Sequence, residues 1–247
     1  MQIKFRILYL SFASLLLACN PHYTEQKTKY QHYSLQNEKE NEALKLAIIP
    51  YSEKVKTETE KVIAVSSEAI IKDREQSPLG NFICDAMKFS AQIEFKGSIC
   101  NVVISNRGGM RATLPKGEIR VRNIFEVMPF DNELVMLTIT GKKLLEGLNT
   151  ITEKYHPFLG LQIKIKNNDI LEALINNETI DSTKTYNIIT SDYIANGGDN
   201  FAFLQNPIET KHCNLKIRDA MITYCIYLTE NGKQLVPYTD DRLIISK

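Results

Sequence analysis

Neither sign of charge is in excess in this 247-residue chain: 30 Lys and Arg stand against 29 Asp and Glu, a formal net charge of +1. A broad basic field of the kind that holds a nucleic-acid backbone is therefore excluded. Histidine is scarce, with four residues, and none of the five cysteines forms a CxxC or Cys/His spacing suited to a metal. No Ser-His-Asp or Cys-His arrangement for nucleophilic catalysis is evident. Tryptophan is absent, which excludes nothing by itself. Hydrophobic residues make up 43%, ample for a core but too few for several membrane spans. No internal repeat is apparent, and the length suits one domain plus a tail.

The longest apolar run lies at the start. Lys4 and Arg6 precede Ile7 to Leu17, a stretch too short to cross a bilayer comfortably. It closes with Leu16-Leu17-Ala18-Cys19, which resembles the bacterial lipobox. The resemblance implies a signal peptide over 1–18, lipidation of Cys19, and a place in the bacterial envelope, on the periplasmic face or the cell surface. Two or more acyl chains satisfy the requirement for stable anchoring. A plain secretory signal or a buried N-terminal helix are the alternatives. Residues 19–44, polar and rich in Gln, Lys and Glu, read as a flexible tether, with His22 and His32 as solvated bystanders. An oxidising location permits disulfides. Cys84 and Cys100 lie in apolar runs and are expected as free buried thiols; a Cys213–Cys225 pair stays open.

From residue 45 to 247 helical and extended patterns mix without a regular βαβ repeat, which predicts an α+β single domain with a mixed β-sheet and packed helices. Glu42 to Lys56 reads as a helix interrupted at Pro50, and Val62 to Val65 as a strand. Ser77-Pro78 opens a helix whose Leu79, Phe82, Ile83, Ala86 and Met87 recur at helical spacing; Asp85 within it reads as a partnered structural carboxylate. Glu133 to Thr140 is a strand buried on both faces. Lys142 to Tyr155 is an amphipathic helix with Leu144, Leu145, Leu148 and Ile151 inward. Phe158 to Lys166 is one half-buried strand, followed by a hairpin turn at Asn167-Asn168. A strand over 185–190, a helix over 218–228 and a closing strand over 243–245 complete the pattern.

Two glycine turns carry the chemistry. The first, Asn106-Arg107-Gly108-Gly109-Met110-Arg111, follows the strand 102–105; the second, Asn196-Gly197-Gly198-Asp199, follows the strand 185–190 and Tyr193. Paired glycines let a backbone turn sharply and approach a ligand. Phe130 and Tyr193 could offer two faces for a nucleobase to stack on. Asp199 can accept both hydroxyls of a ribose diol, and Asn106 and Arg111 supply donors for a base edge or a phosphate. Each also has an ordinary structural reading: Phe130 as a core plug, Tyr193 packed under a loop with its hydroxyl satisfied, Asp199 closing an Asx turn.

These stretches, together with Pro78 to Met87, Gly117-Glu118-Ile119 and Phe125-Glu126-Val127-Met128-Pro129-Phe130-Asp131-Asn132, resemble the C-terminal domain of the 5'-nucleotidase family, in the family's order. That family includes periplasmic UDP-sugar hydrolases, ecto-5'-nucleotidases and cyclic-nucleotide phosphodiesterases. The resemblance implies its fold and, as substrate-binding residues, Asn106, Arg111, Phe130, Tyr193 and Asp199. Tyr193 departs from a frequent phenylalanine, and Arg107 stands where a third glycine is common. Arg74 precedes a helix near a place where the family often uses a substrate-facing arginine, but the spacing does not fix its alignment. Full-length members carry an N-terminal metallophosphatase domain holding two metals, about 3.5–4 Å apart in such sites, through Asp-x-His, Gly-Asp-x-x-Asp and Asn-His motifs. None of these motifs occurs here. The expectation is therefore a nucleotide- or nucleoside-binding specificity domain that binds no cofactor or metal of its own. It would be inactive alone and would act in nucleotide catabolism with a separate metallophosphatase chain bearing the divalent metal pair. The alternatives are a stand-alone nucleotide- or nucleoside-binding surface lipoprotein and a degenerate adhesion module.

Overall fold

The computed structural model describes residues 30, 31 and 41–246. The signal peptide, Cys19 and most of the tether expected from the sequence lie outside the described residues. Two compact units divide between Ala47 and Ile48. Of the first, the described residues are Tyr30, Gln31 and 41–47, which include the opening of helix α1 (Glu42–Thr59). The expected break at Pro50 does not occur. The helix runs through it with no buried residue, because an exposed face lets the ring sit in solvent while the rest of the hydrogen-bond ladder continues.

The second unit is α+β, as expected. Its elements are β1 (Val62–Ser66), α2 (Pro78–Glu94), β2 (Val102–Ile104), β3 (Gly117–Arg120), α3 (Val121–Val127), β4 (Glu133–Thr140), α4 (Gly141–Glu153), β5 (Phe158–Leu159), β6 (Gln162–Lys166), β7 (Asp169–Ile175), β8 (Glu178–Thr179), β9 (Thr185–Ser191), α5 (Asp192–Ala195), β10 (Glu209–Lys216), α6 (Ile217–Glu230) and β11 (Leu243–Ser246). A mixed five-stranded sheet has the order β10-β4-β9-β2-β5; a four-stranded sheet (β11-β6-β7-β8) and the pair β1-β3 accompany it. Along β4, alternate side chains enter different cores. Leu134 and Met136 join α2 and α6, while Val135, Leu137 and Ile139 join α4 and the second sheet. Both faces of the central sheet are thus buried, and each fully buried Leu, Ile or Met contributes about 1.5–3 kcal/mol. Helix α2 begins as its sequence predicts, with Ser77 Oγ accepting from the Gly80 N–H at 3.1 Å.

Several expectations change. The single strand over 158–166 is two, β5 and β6, in different sheets. Gly160 breaks it with φ +85°, where an added Cβ would lie 2.2 Å from the Asn101 carbonyl oxygen. Leu145 faces solvent rather than the core, at 39% exposure; the inward stripe of α4 passes instead through Gly147, against which the Phe203 ring lies. Strand β10 carries no apolar alternation and was not expected; it is an edge strand held by its ladder with β4. Cys213 and Cys225 do not pair, and the four described cysteines are free thiols, Cys100 only half-buried. Asp85 accepts from the Tyr238 hydroxyl at 2.7 Å, the structural partner its reading required.

Candidate functional site

Strand direction decides where the loops meet. β2 and β9 are parallel neighbours, with Val102 opposite Ile188 and Val103 opposite Ile189. Their C-terminal ends therefore share one edge of the sheet, and both glycine turns leave from it. β4 runs antiparallel to β9, Leu134 facing Ser191, so the turn that precedes β4 and carries Phe130 arrives at the same edge. β5 is antiparallel to β2, Ile104 facing Phe158, which brings His156-Pro157 there too.

At this edge the structure brings together all five residues expected to form a binding site. Asn106, Arg111, Phe130, Tyr193 and Asp199, with Gly108, Gly109 and Asn132, line one cavity of about 290 Å³, close to the lower bound of small-ligand pockets, about 300–1,000 Å³. The two rings are neither core plugs nor packed beneath a loop: Phe130 is 40% exposed and Tyr193 44%. Asn132 was not anticipated; the available signal was its place two residues after Phe130 in the same turn.

The polar side is already hydrogen-bonded. Asn106, 6% exposed, donates through Nδ2 to Asp199 Oδ2 at 2.7 Å, and the Tyr193 hydroxyl donates to Asp199 Oδ1 at 3.2 Å. Asp199 stands at φ +53°, a left-handed conformation that aspartate tolerates. Close packing requires the glycines around it. A Cβ on Gly108 would sit 2.8 Å from Asp199 Oδ2, and one on Gly198 would sit 2.5 Å from the Tyr193 ring, which lies flat against that residue.

Beyond Gly108 and Asp199, which it shares, a second cleft of about 610 Å³ is lined by Lys72, Arg74, Arg107, Lys154, Tyr155 and His156, with one further carboxylate, Glu153. Arg107 Nη1 donates to the carbonyls of Asp73 at 2.5 Å and Arg74 at 3.0 Å, fixing the loop before α2. Lys72 Nζ donates to the Met110 carbonyl at 3.0 Å; burial, then the neighbouring Arg107 and Arg111, lower its pKa. His156 is 3% exposed. Its Nδ1 accepts from the Arg107 N–H at 3.0 Å, its ring packs on Phe201, and Nε2 is buried without a partner among the described residues. Burial above all, with Lys154 and Arg107 against an opposing Asp199, brings its pKa down to about 4. No group of three His, Cys, Asp or Glu placed to hold a metal ion exists among the described residues.

Comparison with known proteins identifies the family. A sequence model of the family described as 5'-nucleotidase, C-terminal domain, matches residues 56–206. Protein UshA of Escherichia coli is 25% identical over 173 residues, spanning 68% of this chain and 31% of that protein. A 5'-nucleotidase of Vibrio vulnificus is 28% identical over 185 residues, spanning 70% and 32%. The chain thus spans about a third of the length of these curated relatives. Among solved structures, a 5'-nucleotidase precursor from Thermus thermophilus superimposes with a TM-score of 0.70 at 24% identity, covering 83% of this chain and 43% of that one, a likeness of fold.

Proposed function

The chain belongs to the family of 5'-nucleotidase C-terminal domains, and we propose that it is the nucleotide-binding specificity part of a 5'-nucleotidase-like phosphohydrolase. The observation that carries the proposal is the convergence of Phe130, Tyr193, Asn106, Arg111 and Asp199, drawn from three separate turns, around one cavity. A base enters between the rings, each worth about 1–3 kcal/mol in stacking. Asp199 accepts the ribose diol. The phosphate leaves past Arg111 and Gly108 toward Lys72, Arg74 and Arg107, where charge-assisted hydrogen bonds meet it.

In this reading hydrolysis belongs to a metallophosphatase on a separate chain, which brings the divalent metal pair; this chain selects and orients the nucleotide. Residues 1–18 serve as a signal peptide and Cys19 as the lipidated anchor to the bacterial envelope. The relatives named 5'-nucleotidase support the ligand class, and the polar termini of the cavity support the orientation.

Calorimetric titration of the purified chain with adenosine, AMP and UDP-glucose tests the binding. Saturable binding that disappears in the Phe130→Ala, Tyr193→Ala double variant is expected; no binding of any of the three rejects the proposal. The partner is tested separately, by mixing the chain with a metallophosphatase and measuring phosphate release. Binding without any gain on mixing favours a second reading, a stand-alone nucleotide-binding surface lipoprotein.

A further inference from the structure

The two aromatic walls leave from adjacent strands, yet the ladder between those strands stops before it reaches them. The last β4–β9 pair is Leu134 with Ser191. Beyond it Glu133 stands opposite Asp192, and its backbone N–H has no strand partner on that side; Tyr193 opens the first turn of α5, where a backbone N–H has no intrahelical partner. Both turn to the same atom. Asp192 Oδ1 accepts from the Tyr193 N–H at 2.8 Å and from the Glu133 N–H at 3.0 Å. One carboxylate oxygen thus adds a side-chain rung where backbone pairing ends, joining the residue before Leu134 to the residue that carries one of the rings.

We propose that Asp192 is a positioning residue that sets the gap between Phe130 and Tyr193, and so determines how well a planar ligand fits; the proposal rests on the nucleotide-binding reading above. A base held on both faces needs ring planes roughly 7 Å apart, twice the ~3.5 Å carbon contact distance. Each wall is rigid against its own side. Asp131, next to Phe130, is held by Lys216 at 3.0 Å and Arg218 at 2.6 Å, and the Asn132 carbonyl accepts from the Ile217 N–H at 3.0 Å. Tyr193 is backed by Gly198 and tied through its hydroxyl to Asp199. With both walls braced outward, the shared oxygen is the contact between them that lies beyond the last backbone pair, Leu134 with Ser191. Removing it leaves two amide donors without a partner and lets the walls part.

The test compares Asp192→Asn, Asp192→Ala and Asp192→Glu with wild type in the full chain. Asparagine keeps an acceptor at the same reach; glutamate keeps the charge but moves the oxygen by a methylene. Adenosine reads the ring gap, and ribose 5-phosphate reads the polar side without stacking. The expected result is adenosine affinity at least tenfold weaker in the alanine and glutamate variants, within threefold of wild type in the asparagine variant, and ribose 5-phosphate affinity within twofold throughout. Amide exchange by NMR, in the free protein, should show Glu133 and Tyr193 losing protection together in the alanine and glutamate variants. Unchanged adenosine binding, an equal loss of both ligands, or exposure of only one amide overturns the proposal. Should wild type bind neither ligand, the nucleotide-binding reading fails, while the amide exchange still decides whether Asp192 joins the walls.

Discussion

The Tyr193 hydroxyl donates to Asp199 Oδ1 while the Tyr193 ring leans on Gly198, so one side chain both walls the cavity and orients its carboxylate. A phenylalanine in this place would stack equally well but would leave Oδ1 free. Tyr193→Phe is therefore expected to keep adenosine affinity within about threefold, while Tyr193→Ala should weaken it by roughly 1–3 kcal/mol, the worth of one stacked base. Calorimetry on both variants separates ring from hydroxyl. Equal losses in the two would show that the hydroxyl, not the ring, carries the contact.

Gly198 offers a test of the wall from behind. A methyl group there meets the Tyr193 ring at 2.5 Å, and the ring must swing into the cavity to make room. Overpacking of this kind costs about 1–3 kcal/mol. Because the ring is 44% exposed and can move without disturbing the core, Gly198→Ala should lower adenosine affinity more than tenfold with a melting temperature only a few degrees below wild type. A large drop in melting temperature with unchanged affinity would place the ring elsewhere.

The cationic cleft should read phosphate and ignore the base. Lys72→Gln and Arg107→Gln each remove one positive charge beside Gly108. A hydrogen bond to a charged group contributes about 1.5–3 kcal/mol, so each variant should lose about tenfold or more in AMP affinity while adenosine affinity stays within twofold. The AMP preference over adenosine should also shrink as salt rises, since these side chains are partly exposed. Equal losses for both ligands would mean that the cations act only by holding the 72–74 loop.

What could be read from the sequence follows from where each kind of information resides. The five residues proposed as the clamp came from a family resemblance carried by local motifs, the glycine pairs and the Pro-Phe turn at strand ends; read singly, each had an ordinary structural role. Their convergence follows from β2 and β9 being parallel neighbours, a long-range fact. Asn132 and Lys72 escaped because each is an ordinary polar residue in a loop until the fold sets it beside a cavity. Strand β10 escaped for a related reason: Glu209 to Lys216 has no apolar alternation, and its extended form is imposed by pairing with β4. Gly160 looked like part of a strand because a run of apolar residues surrounds it. Only the approach of the Asn101 carbonyl shows that the chain must turn there.

His156 gives the site a pH signature. Its Nδ1 accepts from the Arg107 N–H, so the neutral ring carries its proton on the buried Nε2, and protonation of Nδ1 would break that bond. Burial lowers its pKa from 6.5 to about 4. Between these values the unfolded chain binds a proton that the folded chain does not, so stability rises with pH from about 4 to about 6.5 and levels off above. The full effect is on the order of 3 kcal/mol. Asp131, Asp181 and Asp240 have lowered pKa values, and their stabilisation is lost only on acidification through and below the ordinary carboxylate value. Asp85, raised chiefly by burial, acts with the opposite sign above that value. The difference between wild type and His156→Asn, whose amide oxygen can take the Arg107 N–H but does not titrate, isolates the histidine. Urea denaturation from pH 4 to 7.5 should show the gap between the two proteins changing by about 3 kcal/mol in the direction that favours wild type as pH rises. A constant gap would mean that His156 titrates near its ordinary value and that the Arg107 turn is not held as described.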